Sequence, residues 1–154
     1  KTKCEQHAIM SANLQSPIPN TQSYTMNLLF LIHTASTLCL VGLIWTIQLV
    51  HYPLFEQVGS ETYSAYQAAH QWRITLLVLP LMLAELVTAG LLVLNPPRDV
   101  PAVVAWLGLI LVGVIWFSTF FLQMPQHATL GKGFDAQAHR MLVNSNWIRT
   151  CPYC

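Results

Sequence analysis

Few side chains in this sequence carry atoms able to bind a metal, a haem or an anion, and they fall in a pattern. Those within or beside the apolar stretches include His33, Glu85, Arg73 and Arg149, with His51, His70, His127 and His139. Imidazole is a common ligand for haem iron, copper, zinc and non-haem iron. A guanidinium binds carboxylates, whether a substrate anion or a haem propionate. The expected chemistry is therefore cofactor or metal binding. His33, Glu85, Arg73 and Arg149 are candidate cofactor-binding residues, and His51, His70, His127 and His139 are candidate metal ligands. The sequence assigns no catalytic residue.

The elements that must position these groups follow from composition. Charged residues are 8 % of the chain and hydrophobic residues 54 %, against about a quarter charged in ordinary soluble domains. The sequence contains no basic cluster to neutralise phosphates, which argues against nucleic acid. Three apolar stretches, 26–50, 74–94 and 102–122, each have the ~20 residues that cross a bilayer as a helix. Lipid offers an open strand no hydrogen-bond partners, so helix is required. The first stretch is too long for a secretory signal core and has no small-residue cleavage site after it. Pro101 opens the third helix, and Pro80 predicts a kink in the second.

The expected fold is an all-α membrane helix bundle with three transmembrane helices. A short C-terminal helix from about Ala136 lies at the interface with Trp147 as its anchor. Residues 1–25 read as a polar tail and 26–154 as the membrane domain. The sequence opens on Lys, with Met10 and Met26 downstream. Arg73, Lys132, Arg140 and Arg149 flank one side of the spans and Arg98 the other. That bias predicts the loop 51–73 and the C-terminus on the cytoplasmic side of a bacterial inner or photosynthetic membrane.

The closing "CPYC" looks like the redox dithiol of glutaredoxins. That chemistry needs the motif at the start of a helix within a βαβ-type fold, which lowers the thiol pKa. Here the motif follows the last helix and no strand pattern exists, so a catalytic dithiol is not expected.

Helical phase gathers the polar residues of each span into one stripe. His33, Thr37, Gln48 and His51 share an arc on the first, and His70, Glu85 and Thr88 on the second. Trp116, Thr119, Gln123 and His127 spread a little wider on the third. Three such stripes face a common interior. Rise per residue puts His33 about 27 Å from His51, and Glu85 about 22 Å from His70. Two levels result: His33 with Glu85 near one side, and His51, His70, Gln123 and His127 near the cytoplasmic side, where His139 can join them. Gly108 and Gly113 fall near the His33 level and leave room for close packing or a flat cofactor. Plainer roles compete at each position. An intramembrane histidine also serves simply to bond a neighbouring helix, and Glu85 to hold two helices together.

The two halves echo each other. Trp45, "HYP" ending at Pro53 and "QAAH" ending at His70 match Trp116, "QMP" ending at Pro125 and "AQAH" ending at His139. Such a repeat predicts a site at its interface. It also predicts a fourth span about where the sequence reaches Cys154, a four-helix pattern cut short.

The stretch "LIHTASTLCLVGLIWTIQLVHYPLF" resembles a loose group of small, mostly four-helix bacterial membrane proteins. The group includes the membrane-bound protoporphyrinogen oxidase and copper-resistance proteins of the CopD type. The matching residues are His33, Gly42, Trp45 and Pro53. The ending "NWIRT", with Asn146, Arg149 and Thr150, is similar to anthrone-oxygenase-like and uncharacterised members. The resemblance implies a four-helix bundle and, in some members, a b-type haem held by the first-helix histidine. Leu54 departs from that oxidase, which has a basic residue after the Pro.

Three function classes remain in view. The first is a redox or oxygenase-type membrane protein using haem b or a transition metal. The second is a non-catalytic accessory subunit of a respiratory or photosynthetic complex, in which His33 could ligate a chlorophyll-type pigment. The third is a transporter, which one acidic residue and three spans serve poorly. Expected partners are the lipid bilayer and membrane-protein neighbours or further copies of the chain.

Overall fold

The computed structural model describes residues 21–97 and 100–153, with side chains from 24 to 97 and from 100 to 152. Residues 1–20, most of the expected tail, lie outside the described residues, as do Arg98 and Cys154. Helix α1 (Thr21–Thr46) continues through a π-helical segment (Ile47–His51), a helical turn (Tyr52–Leu54) and a 3-10 turn (Phe55–Gln57). Helix α2 spans Tyr63–Leu94. Helix α3 (Ala102–Ser118) continues through a second π-helical segment (Thr119–Gln123) into a short helix (Met124–Leu130). Helix α4 spans Ala136–Thr150. The described residues contain no strand.

The stretches Tyr24–Gln57, Tyr63–Leu94 and Ala102–Leu130 are long and apolar enough to cross a membrane. The chain is an integral membrane protein, and its outward faces carry the large apolar side chains that lipid solvates, among them Leu31, Leu38, Leu77 and Phe121. Two of these helices overrun their apolar cores. α1 starts at Thr21, inside the expected tail, because residues 21–25 include no Pro or Gly to stop it. α2 starts at Tyr63, which adds three polar turns bearing Gln67 and His70 ahead of the apolar run. Pro80 lies inside α2 without interrupting it.

The internal echo has a structural counterpart. Both π-helical segments end two residues before a proline, at His51 before Pro53 and at Gln123 before Pro125. A proline ring collides with the carbonyl four residues earlier, and a widened turn relieves that collision. Each segment closes on a wide bond, from the Tyr52 N–H to the Ile47 carbonyl and from the Met124 N–H to the Thr119 carbonyl. The extra residue turns the following side chains away from the phase that a regular helix would give them.

α1 packs on α2, α2 packs on α3, and α4 packs against the ends of α1 and α3. Leu40, Met82 and Ile115 meet at mid-height. Ile47, Tyr52, Phe55, Tyr63, Leu130 and Leu142 form the larger core at the α4 end. α4 starts where the Asp135 carboxylate accepts the Ala138 N–H at 2.7 Å, an N-cap. Gly133 precedes it at φ 145, a conformation that favours glycine.

α4 is more than an interfacial helix. His139, Leu142, Asn146, Arg149 and Thr150 are all buried, on one face. Asn146 Nδ2 donates to Gln48 Oε1 at 2.6 Å, and Gln48 Nε2 donates to the Val143 carbonyl at 3.3 Å. On the other side Ser118 Oγ donates to Gln123 Oε1 (3.1 Å) and Gln123 Nε2 donates to Ser145 Oγ (3.3 Å). Both glutamines belong to the π-helical segments, so each prolyl distortion supplies one anchor for α4. Trp147, expected as the interfacial anchor, is exposed and meets Trp45 edge-on at 5.8 Å.

Candidate functional site

The polar residues gather at two levels, as their spacing predicts. At the first, α1 and α2 are joined by two side-chain bonds. His33 Nδ1 lies 2.9 Å from Thr88 Oγ1, and Thr37 Oγ1 donates to Glu85 Oε1 at 2.7 Å. The Thr88 hydroxyl donates its own hydrogen to the Ala84 carbonyl at 2.7 Å. With its hydrogen on that carbonyl, Thr88 accepts from His33 Nδ1–H, and in that tautomer the Nε2 lone pair is left for another partner. His33 lines a cavity of about 180 Å³ together with Phe30, Ala89, Val104 and Gly108. A Cβ at Gly108 or Gly113 would meet nothing within 4 Å. These glycines are not points of close helix approach, and Gly108 instead leaves space beside His33.

At the second level three of the four expected histidines come together. His51 Nε2 and His70 Nδ1 are 2.8 Å apart, and the His70 and His127 ring centroids are 5.9 Å apart. Gln67, fully buried, donates from Nε2 to His127 Nδ1 at 2.8 Å. His127 Nε2 then faces the Tyr52 hydroxyl at 3.5 Å, too long for a strong bond. His139 is turned elsewhere. Its Nε2 donates to the Tyr52 carbonyl at 2.9 Å, its Nδ1 lies 3.2 Å from the Glu56 carboxylate, and the Phe55 ring packs against it and against His51 and His70. Both nitrogens of His139 are thus occupied. Among the described residues no group of three or more His, Cys, Asp or Glu side chains is placed to hold a metal ion.

His70 and His127 line a cleft of about 320 Å³ between α2 and the α3 continuation. Its sides are apolar, from Val78, Leu79, Met82, Phe120 and Met124. One end is polar, from Tyr52, His70, Gln123, His127 and Arg149. Arg149 is buried, and α4 carries it there because Asn146, one turn earlier, is held by Gln48. Arg73, the other candidate cation, is exposed and outside the cleft wall. Trp116 also lines the cleft, and its indole N–H is buried with no partner among the described residues.

Tyr52 and Gln67 escape a search by residue type. Gln67 is three residues before His70, on the same helical face, so its position was available as a signal. Tyr52 had no such signal, because the π-helical segment just before it sets its direction. The chain matches no protein-family model, no curated protein and no solved structure, so its chemistry is read from this arrangement of side chains.

Proposed function

We propose that this integral membrane protein is of the redox or oxygenase type and works at the cleft between α2 and α3. A membrane-soluble molecule places its polar headgroup against His70, His127, Tyr52 and Arg149, and its apolar part lies along Val78, Met82 and Phe120. One observation carries this reading: polar groups from four separate parts of the chain converge on one end of an otherwise apolar cleft. Ligand sites have that form, and ionisable side chains inside a membrane bundle are costly enough to imply use. Gln67 orients His127, Arg149 supplies a fixed positive charge, and the apolar walls exclude water. The basic residues Arg73, Lys132, Arg140 and Arg149 favour placing this end at the cytoplasmic face.

The test is extraction of the purified protein in native lipid, followed by mass spectrometry. An amphiphile enriched over bulk lipid is expected, and Leu79→Trp, which fills the mouth of the cleft, should abolish the enrichment. An extract identical to bulk lipid for both proteins would refute the reading.

A haem is a second reading, favoured by the geometry of His33. A bare metal ion needs several protein ligands, whereas haem brings four nitrogens and asks for one imidazole. The His33 Nε2 lone pair beside the open space at Gly108 suits that request, and Thr88 is the ring-orienting partner that such a ligand usually has. A bound haem would supply one-electron chemistry; a chlorophyll-type pigment would use the same imidazole. The expected result is a Soret band that His33→Ala removes. A featureless spectrum of the wild-type protein purified from its native membrane would exclude it.

A further inference from the structure

We propose that the headgroup taken by the cleft is a quinone ring in both its oxidised and reduced forms, bonded through His70 Nε2. This inference rests on the cleft being a ligand site.

His70 lines the cleft and His51 does not. The 2.8 Å contact between His51 Nε2 and His70 Nδ1 needs one donor and one acceptor. When His51 donates, His70 Nδ1 is the acceptor and a neutral His70 carries its proton on Nε2. When His51 accepts, His70 Nδ1 carries the proton and Nε2 shows a lone pair. The half-buried pair can thus present either a donor or an acceptor at the cleft without changing its net charge. A ligand whose oxygen is always a carbonyl, or always a hydroxyl, needs only one of these states. A quinone needs the donor and its quinol uses the acceptor, so the pair matches a ligand that changes between the two.

Two further features agree. The volume of about 320 Å³ is at the low end of the ~300–1,000 Å³ range of ligand pockets, which suits one substituted ring. The second ring oxygen has donors to choose from, the unpartnered Trp116 indole N–H and the Arg149 guanidinium. The isoprenoid tail leaves past Leu79, Phe120 and Met124, which are exposed on the lipid-facing side. Only binding of the two forms is proposed.

The test uses the full chain in lipid nanodiscs and follows tryptophan quenching, with displacement for weak quenchers. The probes are a short-tailed benzoquinone, its quinol and an alkylbenzene of the same size. Wild type should bind quinone and quinol within about threefold of each other, and the alkylbenzene at least tenfold more weakly. His51→Phe keeps a ring against Phe55 but removes the switch, leaving Nε2–H as the easier state for His70. Quinol binding should then fall about fivefold, the equivalent of one hydrogen bond, with quinone binding within twofold. Equal wild-type binding of all three probes would overturn the inference and leave the cleft as an unselective amphiphile site. No binding of any probe would overturn both. Because the wild-type comparison decides, a misfolded variant does not rescue the idea.

Discussion

The lock between Gln48 and Asn146 makes an unequal prediction for its two halves. Gln48 is 4 % exposed, Asn146 is fully buried, and their amides meet at 2.6 Å. Asn146 Oδ1 is buried with no partner among the described residues. Asn146→Leu therefore removes one bond and strands Gln48 Oε1, but it also removes an acceptor that was already stranded. Gln48→Leu, nearly the same volume, removes two bonds and leaves both ends of the Asn146 amide unpaired. A stranded buried polar group costs about 1–3 kcal/mol in water-soluble proteins. Interhelical bonds in a bilayer measure about 0.6 kcal/mol on average and at most about 1.7. The bilayer range applies here, so Asn146→Leu should cost about 0.5 kcal/mol and Gln48→Leu about 1.5. The double variant leaves no stranded amide, so it should cost less than the sum by about 1 kcal/mol. Reversible unfolding in bicelles, by steric trapping or denaturing detergent, on the four proteins measures all three numbers. Costs that add within about 0.3 kcal/mol, or a larger cost for Asn146→Leu, would refute the accounting of bonds and stranded atoms.

Three other outcomes follow from the same geometry. Phe55 is fully buried against His51, His70 and His139; Phe55→Ala should destabilise by about 3–5 kcal/mol, read from the unfolding midpoint. Pro125→Ala lets Thr119–Gln123 rewind as regular helix and takes Gln123 off Ser145; a disulfide engineered between positions 123 and 145 should then form more slowly than in the parent. If the basic residues set the orientation, Ser60→Cys in a cysteine-free background is labelled only from the cytoplasmic side, and labelling from the opposite side would reverse the assignment.

Several features were legible without coordinates because bilayer chemistry leaves few alternatives. A charge-poor chain with three apolar runs must form spanning helices. The fixed rise of a helix then puts His33 and Thr37 opposite Glu85 and Thr88, and His51 opposite His70. The start of α4 near Ala136 was expected, although the Asp135 cap that fixes it there was not singled out. The pairing within each layer was not legible. His33 with Thr88, and Gln67 with His127, depend on helix rotations that residue types do not specify.

The burial of α4 was hidden for a related reason. Asn146, Arg149 and Thr150 look like surface residues until Gln48 and the cleft are known to face them. The π-helical segments are the clearest case. Pro53 and Pro125 are plain in the sequence, but whether a proline kinks, breaks or widens a helix depends on what packs around it. Pro80 does not interrupt α2, whereas Pro53 and Pro125 each follow a widened turn. The sequence by itself determined the solvent, the helices and the two depths. Only the tertiary structure decided which polar atoms meet and which histidine faces away, because side-chain direction depends on helix phase and packing, which are set by contacts far apart in the chain.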